Sequence, residues 1–367
     1  MRLLDRYLLR ELLMPLAFCL IGIQSFIIFV TVFTDAGKIE EARLNFGQMI
    51  GYAAAASMGY LAIVIPVALL LALLMTLTHH ARHNELTAMR AAGMSLWRIC
   101  IPYFLVGLLA TGLLFVLNES VVPRCTDWAD RTLSHHSGNT TRESAQNVGF
   151  TNDRARRKWV LPGNYRLGSA ELPHPWVQWD LPDGSARILS AGRAVRTNDV
   201  WVFYDVQEFS KQDMLSMPVP TLETNTLAMP EFNETPREIA REIEINGYFA
   251  ERNPNIPLKD ILGYLRWHPN LSPADRGRLE TELHERIAMP VTCLVVALIA
   301  IPFGAAPGRR NLFVGVAGSI FICFIYFVLQ RVGLAFGASG AWPAWLAAWL
   351  PNIFFGASGV FLMTRIR

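Results

Sequence analysis

The chain has 367 residues, of which 52% are hydrophobic and 17% charged, and its mean hydropathy is positive, a balance that suits a bilayer better than a water-soluble domain. The formal net charge of +3 is small for this length and speaks against nucleic acid as the main ligand. Of five cysteines, Cys19, Cys100, Cys293 and Cys323 lie in or beside apolar stretches and only Cys125 lies in the polar middle, which excludes a disulfide framework there within one chain, and no CxxC spacing occurs.

The first apolar run, about Leu13–Thr34, follows Arg2, Arg6 and Arg10. It is long and lacks a convincing small-residue cleavage site before Asp35, so it is expected to remain as a span rather than act as a signal peptide. Runs at about Tyr52–Thr78 and Trp97–Leu117 give two more spans. A polar stretch of about residues 118–286 follows, too long for a loop and large enough to bury its own core. Inside it, short β-type runs at Lys158–Leu161, Trp176–Asp180, Ala186–Leu189 and Val200–Phe209 are set off by turn signals such as Asp183-Gly184 and Asn198-Asp199. Trp176, Trp179 and the run Val200–Tyr204 have the aromatic and β-branched content of packed strands, so a β-sandwich or jelly-roll-like domain is expected.

Further on, Pro257–Leu265 and the segment after Ser272 look helical, with Ser272 as N-cap and Pro273 at the first helical position. The second of these runs through Glu282–Pro290 into a fourth span at about Ile287–Phe303. Spans at about Leu312–Val332 and Trp342–Met363 complete the chain. The expected fold is an α-helical membrane protein with six transmembrane helices, three and three, around an inserted periplasmic jelly-roll-like domain. Its segments are 1–117, 118–286 and 287–367.

Lys and Arg in the short loops set the expected orientation. Arg2, Arg6 and Arg10, then Arg82, Arg90 and Arg98, then Arg309 and Arg310, then Arg365 and Arg367 fall on one side. The opposite loops carry Lys38 and Arg43 offset by Asp35, Glu40 and Glu41, or no charge at all across Gly337–Pro343. Both termini are therefore expected in the cytoplasm and the middle domain outside, in the periplasm of a Gram-negative cell.

The spans are nearly free of ionisable groups, with Gln24 interior and Arg331 at a span end, so an intramembrane proton relay is not expected. Gly37-Lys38 lacks the rest of a P-loop, and no GxSxG, HExxH or nucleophile-base pattern occurs. His79, His80 and His83 have helical i,i+3 and i,i+4 spacing, but Glu85 is the one carboxylate near them and a closed metal site needs more. Glu280, His284 and Glu285 read as a solvated helix face. No catalytic residue, metal or cofactor is expected, and any transport energy has to come from another chain.

The segment Ala81–Ser95 is the most informative. Leu86, Met89 and Gly93 fall near one helical face and Glu85, Ala88 and Ala92 on a neighbouring one, as in a short helix lying flat under a membrane. Ala88, Ala91, Ala92, Gly93 and Ser95 are small enough for another protein to approach closely, and Glu85 can make a charge-assisted bond to it. A plain amphipathic connector fits the same periodicity.

The run Asn84-Glu85-Leu86-Thr87-Ala88-Met89-Arg90-Ala91-Ala92-Gly93-Met94-Ser95 resembles the coupling helix of the lipopolysaccharide-export permeases, the LptF/LptG (YjgP/YjgQ) family. Leu4-Asp5-Arg6-Tyr7, the block Asn118–Pro123, Glu282–Pro290 and Trp345–Asn352 also match. The resemblance covers nearly the whole chain in order and is weakest in the middle domain, where Ser185–Phe209 carries it. It implies a permease of an ABC-type exporter, without an ATPase motif of its own, in the inner membrane. Its implied partners are a cytoplasmic ATPase dimer, a second permease chain (a paralogue or a copy of itself), a periplasmic jelly-roll bridge protein and the lipopolysaccharide cargo. By the same resemblance a coupling segment of about 81–95 docks the ATPase through Glu85, Ala88, Arg90, Gly93, Met94 and Ser95. The resemblance also implies basic residues near the outer ends of the first and third spans that meet the lipid, here Lys38 and Arg131. An anionic multi-acyl lipid calls for an apolar cavity with cations at headgroup height, an arrangement that the first and fifth spans offer with Lys38 and Arg331. Two other classes fit the plan of spans alone. One is a permease or tether for lipoprotein release or mechanotransmission, which usually has four spans with its large domain after the first. The other is a non-transport scaffold whose β domain takes a partner by edge-strand addition.

Overall fold

In hydrocarbon the backbone has to satisfy its own polar groups, and a helix does so locally. In the computed structural model, which describes residues 3–137, 144–152, 156–166, 168–181, 185–211, 217–251, 257–269, 271–304 and 312–365, six stretches are long and apolar enough to cross a membrane. The first is α1 (Leu3–Thr34), followed by a short α2 (Ala36–Glu41). Next, α3 (Phe46–Ser57) starts at a reciprocal cap between Asn45 and Gln48 and passes through one 3₁₀ turn into α4 (Leu61–Arg82). After α5 (Glu85–Ala91) the Ser95 side chain caps α6 (Leu96–Val116). A π turn at Leu117–Val121 joins α6 to α7 (Val122–Ser137). Pro123 has no N–H to return to the Glu119 carbonyl, which accounts for the change of pitch there.

Seven strands follow: β1 (Ser144–Asn152), β2 (Arg157–Arg166), β3 (Glu171–Pro173), β4 (Trp176–Asp180), β5 (Ala186–Thr197), β6 (Val200–Lys211) and β7 (Val219–Met229). The chain closes with α8 (Pro236–Glu251), α9 (Leu258–Trp267), α10 (Pro273–Gly304), α11 (Leu312–Ala338) and α12 (Ala344–Arg365). Two compact units result, Met1–Asp130 with Pro273–Arg367, and Arg131–Ser272. The second is narrower than the polar stretch 118–286, because the helical residues at each end of that stretch pack with the spans. Asp183-Gly184, Arg2, Arg309, Arg310 and Arg367 lie outside the described residues.

In the helical unit, Leu8 and Leu12 of α1, Leu69 and Leu73 of α4, Tyr103 of α6 and Ala297 of α10 meet in one fully buried cluster. Prolines interrupt α1, α4, α6, α10 and α12. Each leaves the carbonyl four residues earlier without its helical donor, and three of those carbonyls are met by a neighbouring helix. Pro15 frees Glu11, whose oxygen accepts from the buried Thr76 hydroxyl of α4 at 3.2 Å. Pro302 frees Leu298, against which Gly359 of α12 packs so closely that a Cβ would lie 3.1 Å from the oxygen. Pro351 frees Ala347, and a Cβ on Gly333 of α11 would stand only 2.5 Å from that oxygen. A neutral chain of hydrogen bonds fastens the last three helices: Thr292 and Tyr326 share one at 2.6 Å, Tyr326 donates to Asn352 Oδ1 at 2.7 Å, and Asn352 donates to the Ala288 carbonyl at 2.7 Å.

All described strands belong to one antiparallel sheet in the order β1-β2-β4-β5-β6-β7, with β3 beside β5. The expected turn at Asn198-Asp199 joins β5 to β6, with both residues at positive φ, as a two-residue hairpin loop demands. Trp159 is fully buried among Phe150, Trp201, Phe203 and Phe232, and Ile239 and Ile243 of α8 cover the same core. Glu234, 1% exposed, anchors one edge of it. Arg157 grips its carboxylate at 3.1 Å to both oxygens, Asn152 donates at 2.9 Å, and its carbonyl accepts from Trp201 Nε1 at 2.7 Å and from Arg196.

Candidate functional site

The link between α4 and α6 is shorter as a helix than the expected segment 81–95. Asn84 stands at φ 57° and Gly93 at φ 86°, left-handed positions that end regular helix on either side of α5 and that asparagine and glycine tolerate best. Gly93 therefore lies beyond the helix rather than on its face. Leu86 is buried in the core of the spans, with Met89 and Met94 packed against it, so one side of α5 is fixed. The other side presents Thr87, Ala88, Ala91, Ala92 and Gly93, all exposed, with Arg90 partly so. Ser95 is committed to capping α6, where its hydroxyl accepts from the Arg98 N–H.

Glu85 points back into its own chain. His80 Nδ1 lies 2.7 Å from its Oε2, and the Tyr7 hydroxyl donates to Oε2 at 3.1 Å and to Oε1 at 3.3 Å. Partial desolvation acts to raise the Glu85 pKa, but hydrogen bonds from His80 and Tyr7 and attraction to His80 and His79 outweigh it, and the carboxyl sits below the ordinary carboxylate range. His79 and His83 stack with ring centres 4.3 Å apart. Among the described residues no group of three His, Cys, Asp or Glu side chains is placed to hold a metal.

The cations picked out for lipid contact each meet something else. Lys38, 65% exposed, pairs with Asp35 at 2.6 Å, and Asp35 also accepts from the Tyr52 hydroxyl at 2.9 Å. Arg331 is exposed on α11 and acts electrostatically on Glu282 and Glu285 of α10. Arg131, exposed on α7, is the first residue of the other unit and has interactions of its own.

Over residues 6–365 the sequence matches the family of the lipopolysaccharide export system permease LptF/LptG. The chain belongs to that family. A search of curated proteins finds no match. Membership in the LptF/LptG family makes it a multi-pass inner-membrane permease subunit of lipopolysaccharide export and not an enzyme.

The LptF/LptG resemblance pointed to Glu85 but not to the two residues that hold it. Tyr7 lies 78 positions away in sequence, beyond the reach of any helical periodicity, and His80 belongs to a histidine cluster that draws attention as a metal site. The block Leu4–Tyr7 contained the signal, since it supplies Tyr7 to Glu85 and Asp5 to Arg98, the latter at 3.1 Å.

Proposed function

We propose that this LptF/LptG permease is the transmembrane subunit of an ABC-type exporter that extracts lipopolysaccharide from the inner membrane and passes it to a periplasmic bridge protein. Both termini face the cytoplasm and the β unit faces the periplasm. A cytoplasmic ATPase dimer docks on the segment 85–95, a second permease chain completes the transmembrane part, and Lys38, Arg131 and Arg331 meet lipid phosphates. The observation that carries this reading is the exposed small-residue side of α5, with its other side locked to the spans through Leu86. A partner pressing there moves helices rather than a loose connector. Anchoring of that kind also favours coupling over a plain amphipathic link.

Lys38 meets a phosphate in competition with Asp35, so its contribution is an exchange of partners and not the filling of a free charge. Affinity purification of the full chain in mild detergent, with identification of associated proteins and lipids, tests the proposal. An ATPase and a phosphorylated multi-acyl lipid should come with the chain, and Lys38→Glu should weaken photocrosslinking to that lipid. Recovery of the chain with neither would refute the exporter reading, and unchanged crosslinking would remove Lys38 from the lipid site.

A further inference from the structure

We infer that Tyr7 and His80 are positioning residues for Glu85, and that the first turns of α1 thereby take the mechanical load of α5 directly. The inference rests on the coupling role proposed for that segment. A glutamate whose task was only to bind a partner would be left free, whereas this one is held by an aromatic hydroxyl from α1 and an imidazole from α4. His80 is fully buried, and its Nε2 meets no partner among the described residues. An ionised carboxylate only accepts, so Nδ1 carries the proton and Glu85 is the acceptor that fixes the ring. The Tyr7 ring lies 5.8 Å from the His80 ring, which leaves the three side chains as one packed unit. Glu85 is not spent on capping its own helix, since the start of α5 has no side-chain cap.

A second link from the same stretch of α1 brackets the far side of the segment. Asp5 accepts from Arg98 at 3.1 Å, in the first turn of α6 just past Ser95. Tyr7 thus holds the entry of the α5 segment and Asp5 holds its exit. Along its 32 residues α1 has Leu8 and Leu12 fully buried at this end; further on Leu16 and Leu20 are partly buried against the same core, Gln24 donates to Ser57 at 2.8 Å, and Thr31 is buried. A displacement of the end that is held most tightly is passed along the helix. A tilt imposed on α5 therefore reaches α1 directly through the Glu85–Tyr7 bond, and a displacement passed to the start of α6 reaches α1 through Arg98 and Asp5.

The test uses the complete complex reconstituted in liposomes, with lipid extracted per ATP hydrolysed as the readout. Tyr7→Phe removes one oxygen and keeps the ring against His80. His80→Leu removes the Nδ1 donor, and His80→Asn keeps a donor near the Nδ1 position. Loss of a hydrogen bond to a charged group predicts a ratio about tenfold lower in Tyr7→Phe and His80→Leu, with the ATPase still bound, and His80→Asn within about twofold of the unsubstituted chain. If His80→Leu fails to fold, Tyr7→Phe carries the test. An unchanged ratio in Tyr7→Phe overturns the inference while leaving the exporter reading intact, as does a fall in complex yield with the ratio preserved. If no ATPase binds even the unsubstituted chain, the coupling reading fails first and the inference falls with it.

Discussion

The two units bury different kinds of polar group. Among the described residues, the buried polar side chains of the helical unit are Thr31, Ser57, Thr76, His80, Thr281, Thr292, Gln330 and Asn352, with no carboxylate among them. Those of the β unit are Glu208, Glu234, Glu242 and His268. Each buried carboxylate of the β unit has a basic partner: Arg187 for Glu208, Arg157 for Glu234, and His268 for Glu242 at 2.8 Å. The surroundings explain the split. Hydrocarbon offers no water to relax around a charge, so neutral hydrogen bonds and close backbone approach join helices there. A domain bathed in water can carry an ion pair inside, provided the pair stays complete.

The sharpest way to break this contrast is Glu234→Ala. It strands the Arg157 guanidinium, which is 14% exposed, and should cost the β unit about 3–5 kcal/mol, seen as lost hydrogen-exchange protection in β2 and β6. The helical unit should be unaffected. Next comes Gly333→Ala. Its new methyl would sit against the Ala347 carbonyl, and about 2 kcal/mol should be lost from the helical unit in mixed-micelle denaturation. Asn352→Leu, which deletes the neutral bridge from α12 to α10 and α11, should cost about 1 kcal/mol by the same assay. A larger loss in Asn352→Leu than in Gly333→Ala would mean that hydrogen bonds, not shape, join those helices.

The smallest effect near neutral pH concerns Tyr165 in the β core. Burial pushes its phenol up from 10.0 to about 12, against a lowering backbone hydrogen bond. A raised folded value means that its contribution is complete below pH 10 and is lost as the pH climbs toward 12. A denaturation series at rising pH should therefore show the unsubstituted β unit losing stability over that window, with the loss reduced in Tyr165→Phe.

Composition made the spans legible, because some twenty apolar residues in a row have few other uses. The strands β2, β4, β5 and β6 were legible in part, as short runs set off by turn signals, with aromatic and β-branched content marking Trp176, Trp179 and Val200–Tyr204. β7 was not: Val219–Met229 is mostly exposed, and its Thr and Glu residues give no core-facing pattern. β1 likewise offered only a brief apolar run around Phe150. The start of α8 was not singled out, although Thr235-Pro236-Arg237-Glu238 holds a reciprocal cap with proline at the first helical position, which the bonds of Thr235 and Glu238 complete. At the functional site, Glu85 could be singled out by the family pattern, and the depth of Leu86 could be guessed from periodicity. The counter-ion of Lys38, Asp35, lies three residues away and was legible, whereas the hold on Glu85 depends on which helices pack side by side, and local sequence does not encode that.

The carbonyls released by the prolines bear on how such a chain is made. When α1 first enters the bilayer, its Glu11 oxygen has no donor until α4 arrives with Thr76. The Leu298 and Ala347 oxygens of α10 and α12 likewise gain their neighbours only when Gly359 and Gly333 close on them. An isolated span is then an unfinished structure with an unpaired acceptor in lipid. Biogenesis of the helical unit is accordingly a pairing process, in which α1 and α10 wait for α4 and α12, made after them, while α12 meets α11, made before it.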